Sequence, residues 1–224
     1  SPLSPLLSNV MLTELDWEIE SRGLSHVRYA DDCNIYVKSE KAAQRVLNSI
    51  TQYVEGELKL RVNRDKSGTF RPKDSTFLGY TFSKADSKRI VVAEKSVKRL
   101  WTKLHKMFNS ARGTSLKTTI ERITPVLRGW RNYYRLDTRK KYWSEMDERI
   151  RHHLRKLIWI AWKRPKTRER NLIKLGLDPE TAWKSSVNGR GAWWSSGQAH
   201  MNLAIKNRRF ARLGLYSLRF MAIC

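Results

Sequence analysis

The chain has 224 residues, 40% of them hydrophobic, and a formal net charge of +24. That apolar share is enough to bury a core and excludes a disordered chain, while a basic surplus of this size calls for a polyanionic partner, nucleic acid before any other. Cys33 and Cys224 stand at opposite ends, spelling neither a disulfide framework nor a zinc site, and no stretch has the apolar length of a membrane span.

A reducing, cytoplasmic setting is therefore expected. The start has no signal-peptide pattern, and residue 1 is a serine, so the chain is expected to begin inside a larger protein. Charge is uneven along it: residues 1–96 carry +2 and residues 97–224 carry +22.

In chain order, Leu6, Leu7, Val10, Met11 and Leu15 recur at helical spacing. An alternating run from Val27 to Val37 with Asp31 and Asp32 at its middle predicts a β-hairpin. Ala42, Val46, Ile50, Tyr53 and Val54 predict a second helix ending near Gly56, and strand-like pieces follow at 58–62, 68–70 and 77–82. Beyond Ile90 the pattern is helical. One apolar face holds Val97, Leu100, Trp101, Leu104 and Phe108; a second holds Ile120, Ile123, Leu127 and Trp130; a third runs from Tyr142 to Lys163. Arg164-Pro165 stops that helix, and Asp178-Pro179 predicts another helix start with Asp178 as N-cap.

The chemistry-bearing signal is Tyr29-Ala30-Asp31-Asp32. Adjacent carboxylates at a turn repel one another, and two readings fit them: an Asp-rich turn that caps its own amides, or a magnesium site, since hard cations take oxygen ligands and a metal pair can drive phosphoryl transfer.

Several separate motifs resemble those of bacterial group II intron reverse transcriptases. Ser1 to Asn9 resembles the end of the block that follows the family's Pro-Gln-Gly, and Tyr29 to Asp32 its catalytic hairpin. Leu60-Arg61-Val62-Asn63 with Lys66-Ser67 is similar to the next block, and Phe77 to Phe82 to the primer grip. Leu127-Arg128-Gly129-Trp130-Arg131-Asn132-Tyr133-Tyr134 looks like the maturase or thumb signature.

The resemblance implies an α+β fold: a partial reverse-transcriptase palm, a β-hairpin and sheet with helices, over 1–90; an α-helical thumb or maturase domain over 91–164; and a small helical C-terminal DNA-binding module over 165–224. It implies RNA-directed DNA polymerase activity in the parent protein, with a maturase role in splicing and retromobility. Asp31 would be a Mg2+ ligand, Asp32 a neighbour shaping the catalytic site, and Tyr29, Ala30, Lys66 and Gly79 would lie along the primer and template. The family's remaining metal-binding aspartate lies upstream of the Pro-Gln-Gly block, so an N-terminal reverse-transcriptase portion is expected as a partner, and the isolated chain is expected to be inactive. The segment 175–194 is similar to the DNA-binding region of class C enzymes, which lack a nuclease.

Basic and aromatic residues alternate in the second half, a combination suited to phosphates and stacked bases. Arg128, Arg131 and Arg135 fall at helical intervals, as do Arg151, Arg155 and Lys156, and each group predicts a cationic stripe facing intron RNA or a DNA target. Trp193 and Trp194, flanked by Gly and Ser, are the stronger stacking candidates; Trp130 with Tyr133 and Tyr134, and Trp159 with Trp162, read as core. His152 and His153 read as surface or phosphate contacts. Two further readings remain: a splicing cofactor that does not polymerise, and an inactive gene remnant, for which the tail Met221 to Cys224 leaves room.

Overall fold

The computed structural model describes residues 3–86 and 88–220. Ser1 and Pro2 of the first motif, the side chains of Ser4 and Pro5, and the tail 221–224 lie outside the described residues. The architecture is α+β and divides into two units, residues 1–88 and 89–224.

In the first unit, helix α1 (Leu3–Ser21) stops where Gly23 adopts a left-handed φ of 66°. Its N–H bonds to Glu20 O and that of Leu24 to Ile19 O, the pair that satisfies a helix's last carbonyls in a Schellman motif. Strands β1 (Ser25–Tyr29) and β2 (Asp32–Tyr36) then pair antiparallel. Helix α2 (Glu40–Gly56) is capped by Ser39, whose side chain accepts from Ala42 N at 3.2 Å. Leu15 and Ile19 of α1 and Val54 of α2 form the core, with Cys33 and Ile35 of β2 packed against them. One face of the hairpin is thereby covered, while Val27, Tyr29 and Tyr36 on the other stay exposed.

The strands expected at 58–62 and 68–70 do not form. Leu58 and Leu60 donate their amides to Tyr53 and Val54 carbonyls at the end of α2, and Lys59 between them has a φ of 55°. Their side chains still reach the core with Val62, so the apolar alternation that suggests a strand reflects burial without a ladder. A short strand β3 (Tyr80–Phe82) closes the unit's pattern.

The second unit opens on β4 (Ile90–Val92) and continues with α3 (Glu94–Ser110), α4 (Leu116–Tyr133) and α5 (Lys140–Ala161). The apolar faces predicted from spacing are the buried ones: Leu100, Leu104 and Phe108 of α3, Ile120, Ile123 and Leu127 of α4, Met146, Ile150 and Leu154 of α5. Five shorter helices follow: α6 (Pro165–Lys174), α7 (Pro179–Ser186), α8 (Ala192–Gly197), α9 (Ala199–Ala204) and α10 (Asn207–Arg212). Asp178 caps α7, accepting from Thr181 N at 2.8 Å, with Pro179 in the first turn as the sequence predicts. The short helices are fastened to the bundle through α8, which packs on α5.

Candidate active site and nucleic-acid surface

Tyr29 and Asp32 are the last paired residues of the hairpin, which leaves Ala30 and Asp31 as a two-residue turn. Only Ala30 has a positive φ, 52°. That is the sign pattern of a type II′ hairpin turn, a position glycine usually fills, and an L-residue there costs about 1–2 kcal/mol. Arg28 holds the conformation. Its Nη1 donates to Ala30 O at 2.9 Å and to Asn9 Oδ1 at 3.0 Å, while its Nε and Nη2 form a fork on the Asp16 carboxylate. The Arg28 hydrogen bond holds the Asp16 carboxyl below its ordinary range. Helix α1, which supplies Asn9 and Asp16, thus fixes the turn through one guanidinium.

On this clamped turn the side chains of Asp31 and Asp32 are exposed and have no hydrogen-bonding or ionic partner among the described residues. Tyr29 beside them is 63% exposed. Lys66 is exposed on a separate turn, in which Lys66 and Ser67 amides bond to Asn63 O. Gly79 corrects the expectation of a strand glycine. Leu78 and Gly79 both have positive φ, 52° and 77°, between the bridged pair Phe77 and Tyr80, the geometry of a type I′ turn.

Arg28→Gln is expected to cost roughly 2 kcal/mol of stability in the first unit, since it strips Asp16 and the Ala30 carbonyl of a part-buried charged donor. Arg28→Lys keeps the charge without the fork and is expected to fall between, as urea denaturation of the two variants would read.

The basic groups of the second unit do not form the two stripes read from spacing. Arg128 and Arg135 are exposed, but Arg131 is 4% exposed. Its Nε donates to Leu218 O, Nη1 to Tyr134 O and Nη2 to Asp137 O, and it lies 4.5 Å from the Trp143 ring centroid. Because α4 ends at Tyr133, Arg135 also falls out of helical phase with Arg128. Arg155 is likewise buried, its guanidinium on Ile205 O and Asn207 Oδ1, and burial pushes its pKa down to about 10. Neither arginine is available to a phosphate. Arg151 and Lys156 are half-buried on the same helix.

Trp193 and Trp194 are 43% and 38% exposed. The guanidinium of Arg190 sits 4.2 Å above the Trp194 ring, a cation–aromatic pair open to solvent. Trp193 stacks on His152 at 3.7 Å, and His152 Nε2 is 2.9 Å from Trp193 O. His152 therefore docks α8 onto α5. His153 is 8% exposed and parallel to Phe108 at 4.8 Å, so it is no surface contact, whereas His152 is half-buried against Trp193.

Two residues that spacing gave no reason to single out organise this unit. Asp137, fully buried, accepts from Val92 N and from Arg139. Asp147, 4% exposed, accepts from Ser217 Oγ, Leu218 N and Arg219 N. The available signal was their rarity, as 97–224 holds only eight acidic residues against 30 basic ones.

Burial, then the nearby His105, Lys156, Arg149 and His152, lowers the His153 pKa from 6.5 to about 4. Below about pH 6.5 the unfolded chain takes up a proton that the folded chain refuses, so stability is full above that value and is lost as pH falls toward about 4. Burial shifts His200 the same way. Allowing for solvent screening, a loss on the order of 1–2 kcal/mol is expected between pH 7 and 4.5. Tryptophan fluorescence melts would read it, since Trp101 and Trp193 flank His153, and His153→Gln should remove most of the dip.

The hairpin with its two exposed carboxylates thus belongs to one unit and the strongly basic helical bundle to the other. Residues 1–82 match the family model for reverse transcriptase (RNA-dependent DNA polymerase), and residues 97–176 match that for the group II intron maturase-specific domain. No curated protein matched the chain. The two domains in this order place the chain in the group II intron reverse transcriptase/maturase family. Its parent protein is an RNA-directed DNA polymerase; such domains bind intron RNA and nucleic-acid substrates, and reverse transcriptases generally use divalent metal ions.

Proposed function

We propose that Asp31 and Asp32 hold Mg2+ for DNA synthesis by the parent protein, Asp31 as ligand and Asp32 shaping the site. The observation that carries this reading is the pair of exposed, unpartnered carboxylates on a turn clamped by Arg28. Hard oxygen donors of this kind fit Mg2+, which takes one or two carboxylates and completes its shell with water and substrate phosphates. When bound, the metal would supply charge stabilisation at the reacting phosphate. Tyr29 and Ala30 border the primer end, and Lys66 and Gly79 lie along the primer and template.

Among the described residues no group of three or more His, Cys, Asp or Glu side chains could hold a metal. Two-metal phosphoryl transfer draws carboxylates from more than one strand. An N-terminal reverse-transcriptase portion would supply further carboxylates, and the apolar face of α1 suits its docking: Leu6, Leu7, Val10 and Met11 are each more than half exposed.

The second unit grips folded intron RNA, in a class C-like arrangement with residues 165–224 facing a DNA target. Arg128, Arg135, Lys156 and the Arg190–Trp194 pair support this reading, and the +22 of residues 97–224 favours splicing assistance even where no DNA is made. Binding of the full chain to structured RNA is expected to fall roughly a thousandfold between 50 and 200 mM salt, as for about six phosphate contacts. Affinity that holds constant over that range would remove the phosphate-tracking surface.

A further inference from the structure

A pocket of about 160 Å³ lies in the second unit, between the C-terminal turns of α3 and the second half of α5. Phe108, Leu157 and Ile160 make an apolar wall, and Asn109, Arg112 and Lys156 contribute polar and cationic groups. Among the described residues no acidic one lines it. The cations call for an anion, the apolar wall for something flat and apolar, and a duplex is too wide to enter.

His153 also lines the pocket, and its Nε2 is buried without a hydrogen-bonding partner among the described residues. A buried polar atom left unpaired is costly and marks a place where a ligand can supply the bond. The ring is held by Phe108 in parallel at 4.8 Å and by His105 edge-on at 5.0 Å, so its direction is fixed before anything binds. With its pKa near 4 the imidazole is neutral at physiological pH. A neutral ring offers one donor or one acceptor, which matches the edge of a heterocycle and poorly matches a phosphate. Asn109 brings an amide with both donor and acceptor to the same pocket.

We infer that this pocket receives one unpaired nucleotide of the bound RNA, its base against the Phe108, Leu157 and Ile160 wall with its edge on His153 and Asn109, and its phosphate on Arg112 and Lys156. The inference rests on the RNA-binding reading above and adds to it a site that selects unstacked nucleotides over paired ones. Extruded bases are the usual points at which proteins read folded RNA.

The test compares the full chain's affinity for two RNA hairpins of identical stem, one fully paired and one carrying a single bulged nucleotide, with each of the four bases in turn. At least one bulged RNA is expected to bind about tenfold tighter than the paired one, the scale of one seated base. Leu157→Trp, which fills the cavity without touching its charge, should abolish that preference and leave paired-RNA affinity within about twofold. Asn109→Ala, at an exposed position, repeats the test if the tryptophan variant does not fold. The imidazole nitrogen resonances of His153 should move with a nucleoside 5′-monophosphate and stay in place with inorganic phosphate. Equal shifts from both would overturn the base-reading role. Tight but equal binding of all the hairpins would discard the pocket and keep the RNA surface, whereas failure of every hairpin to bind would discard the RNA surface itself.

Discussion

Asp31→Asn in the parent protein is expected to reduce extension of a DNA primer on an RNA template at least about a thousandfold, the loss of several kcal/mol of charge stabilisation at the transferring phosphate. The amide keeps the size and polarity of the turn residue, and Asp31 makes no contact that the hairpin needs, so folding and RNA binding should be unchanged. Arg28→Gln leaves both carboxylates in place but frees the Ala30 carbonyl they depend on. A displacement near 1 Å at a reacting group costs roughly a hundredfold, which sets the smaller loss expected for that variant. The 224-residue chain by itself serves as the blank, with no extension expected. Extension that survives Asp31→Asn would reduce the hairpin to an ordinary turn, and an intron-splicing assay on the same variant would then show whether the chain assists folding of the RNA.

What could be read from the sequence divides by how far apart the interacting residues are. The hairpin was legible because its alternation and its turn lie within Val27 to Val37, although its pairing begins earlier, at Ser25, and the long helices because each repeats its own apolar face. The clamp was not. Arg28 reads as one more strand residue until Asp16 and Asn9 of α1 are seen on its guanidinium. The segment 58–62 alternates like a strand without being one for a related reason: alternation reports which side chains are buried, while a strand also needs a partner for its amides, and here carbonyls near the end of α2 take those of Leu58 and Leu60. His152 and His153 looked like surface groups because Trp193, which meets both rings, is some 40 residues away.

Arg131→Gln and Arg128→Gln are expected to separate cleanly, although the two arginines lie three residues apart on α4. Arg128 is exposed, with its guanidinium 5.7 Å from the Tyr216 ring centroid, so its loss should leave stability within about 0.5 kcal/mol and lower the salt dependence of RNA binding by up to about one contact, roughly 0.9 in the logarithmic slope. Arg131 joins three segments, bonding Leu218 O of the strap that follows α10 (residues 213–220), Tyr134 O at the end of α4 and Asp137 O before α5. Glutamine cannot span these acceptors, and each carbonyl left dry carries its own desolvation cost. A loss of roughly 3–5 kcal/mol follows, enough to lower the melting midpoint of the second unit by about 10 °C or more. Asp147, which holds the same strap through Ser217, Leu218 and Arg219, gives an independent check, because Asp147→Asn should weaken the same attachment while leaving α4 untouched. An Arg131→Gln protein that melts with the unaltered chain but binds RNA with a shallower salt slope would return Arg131 to the nucleic-acid surface.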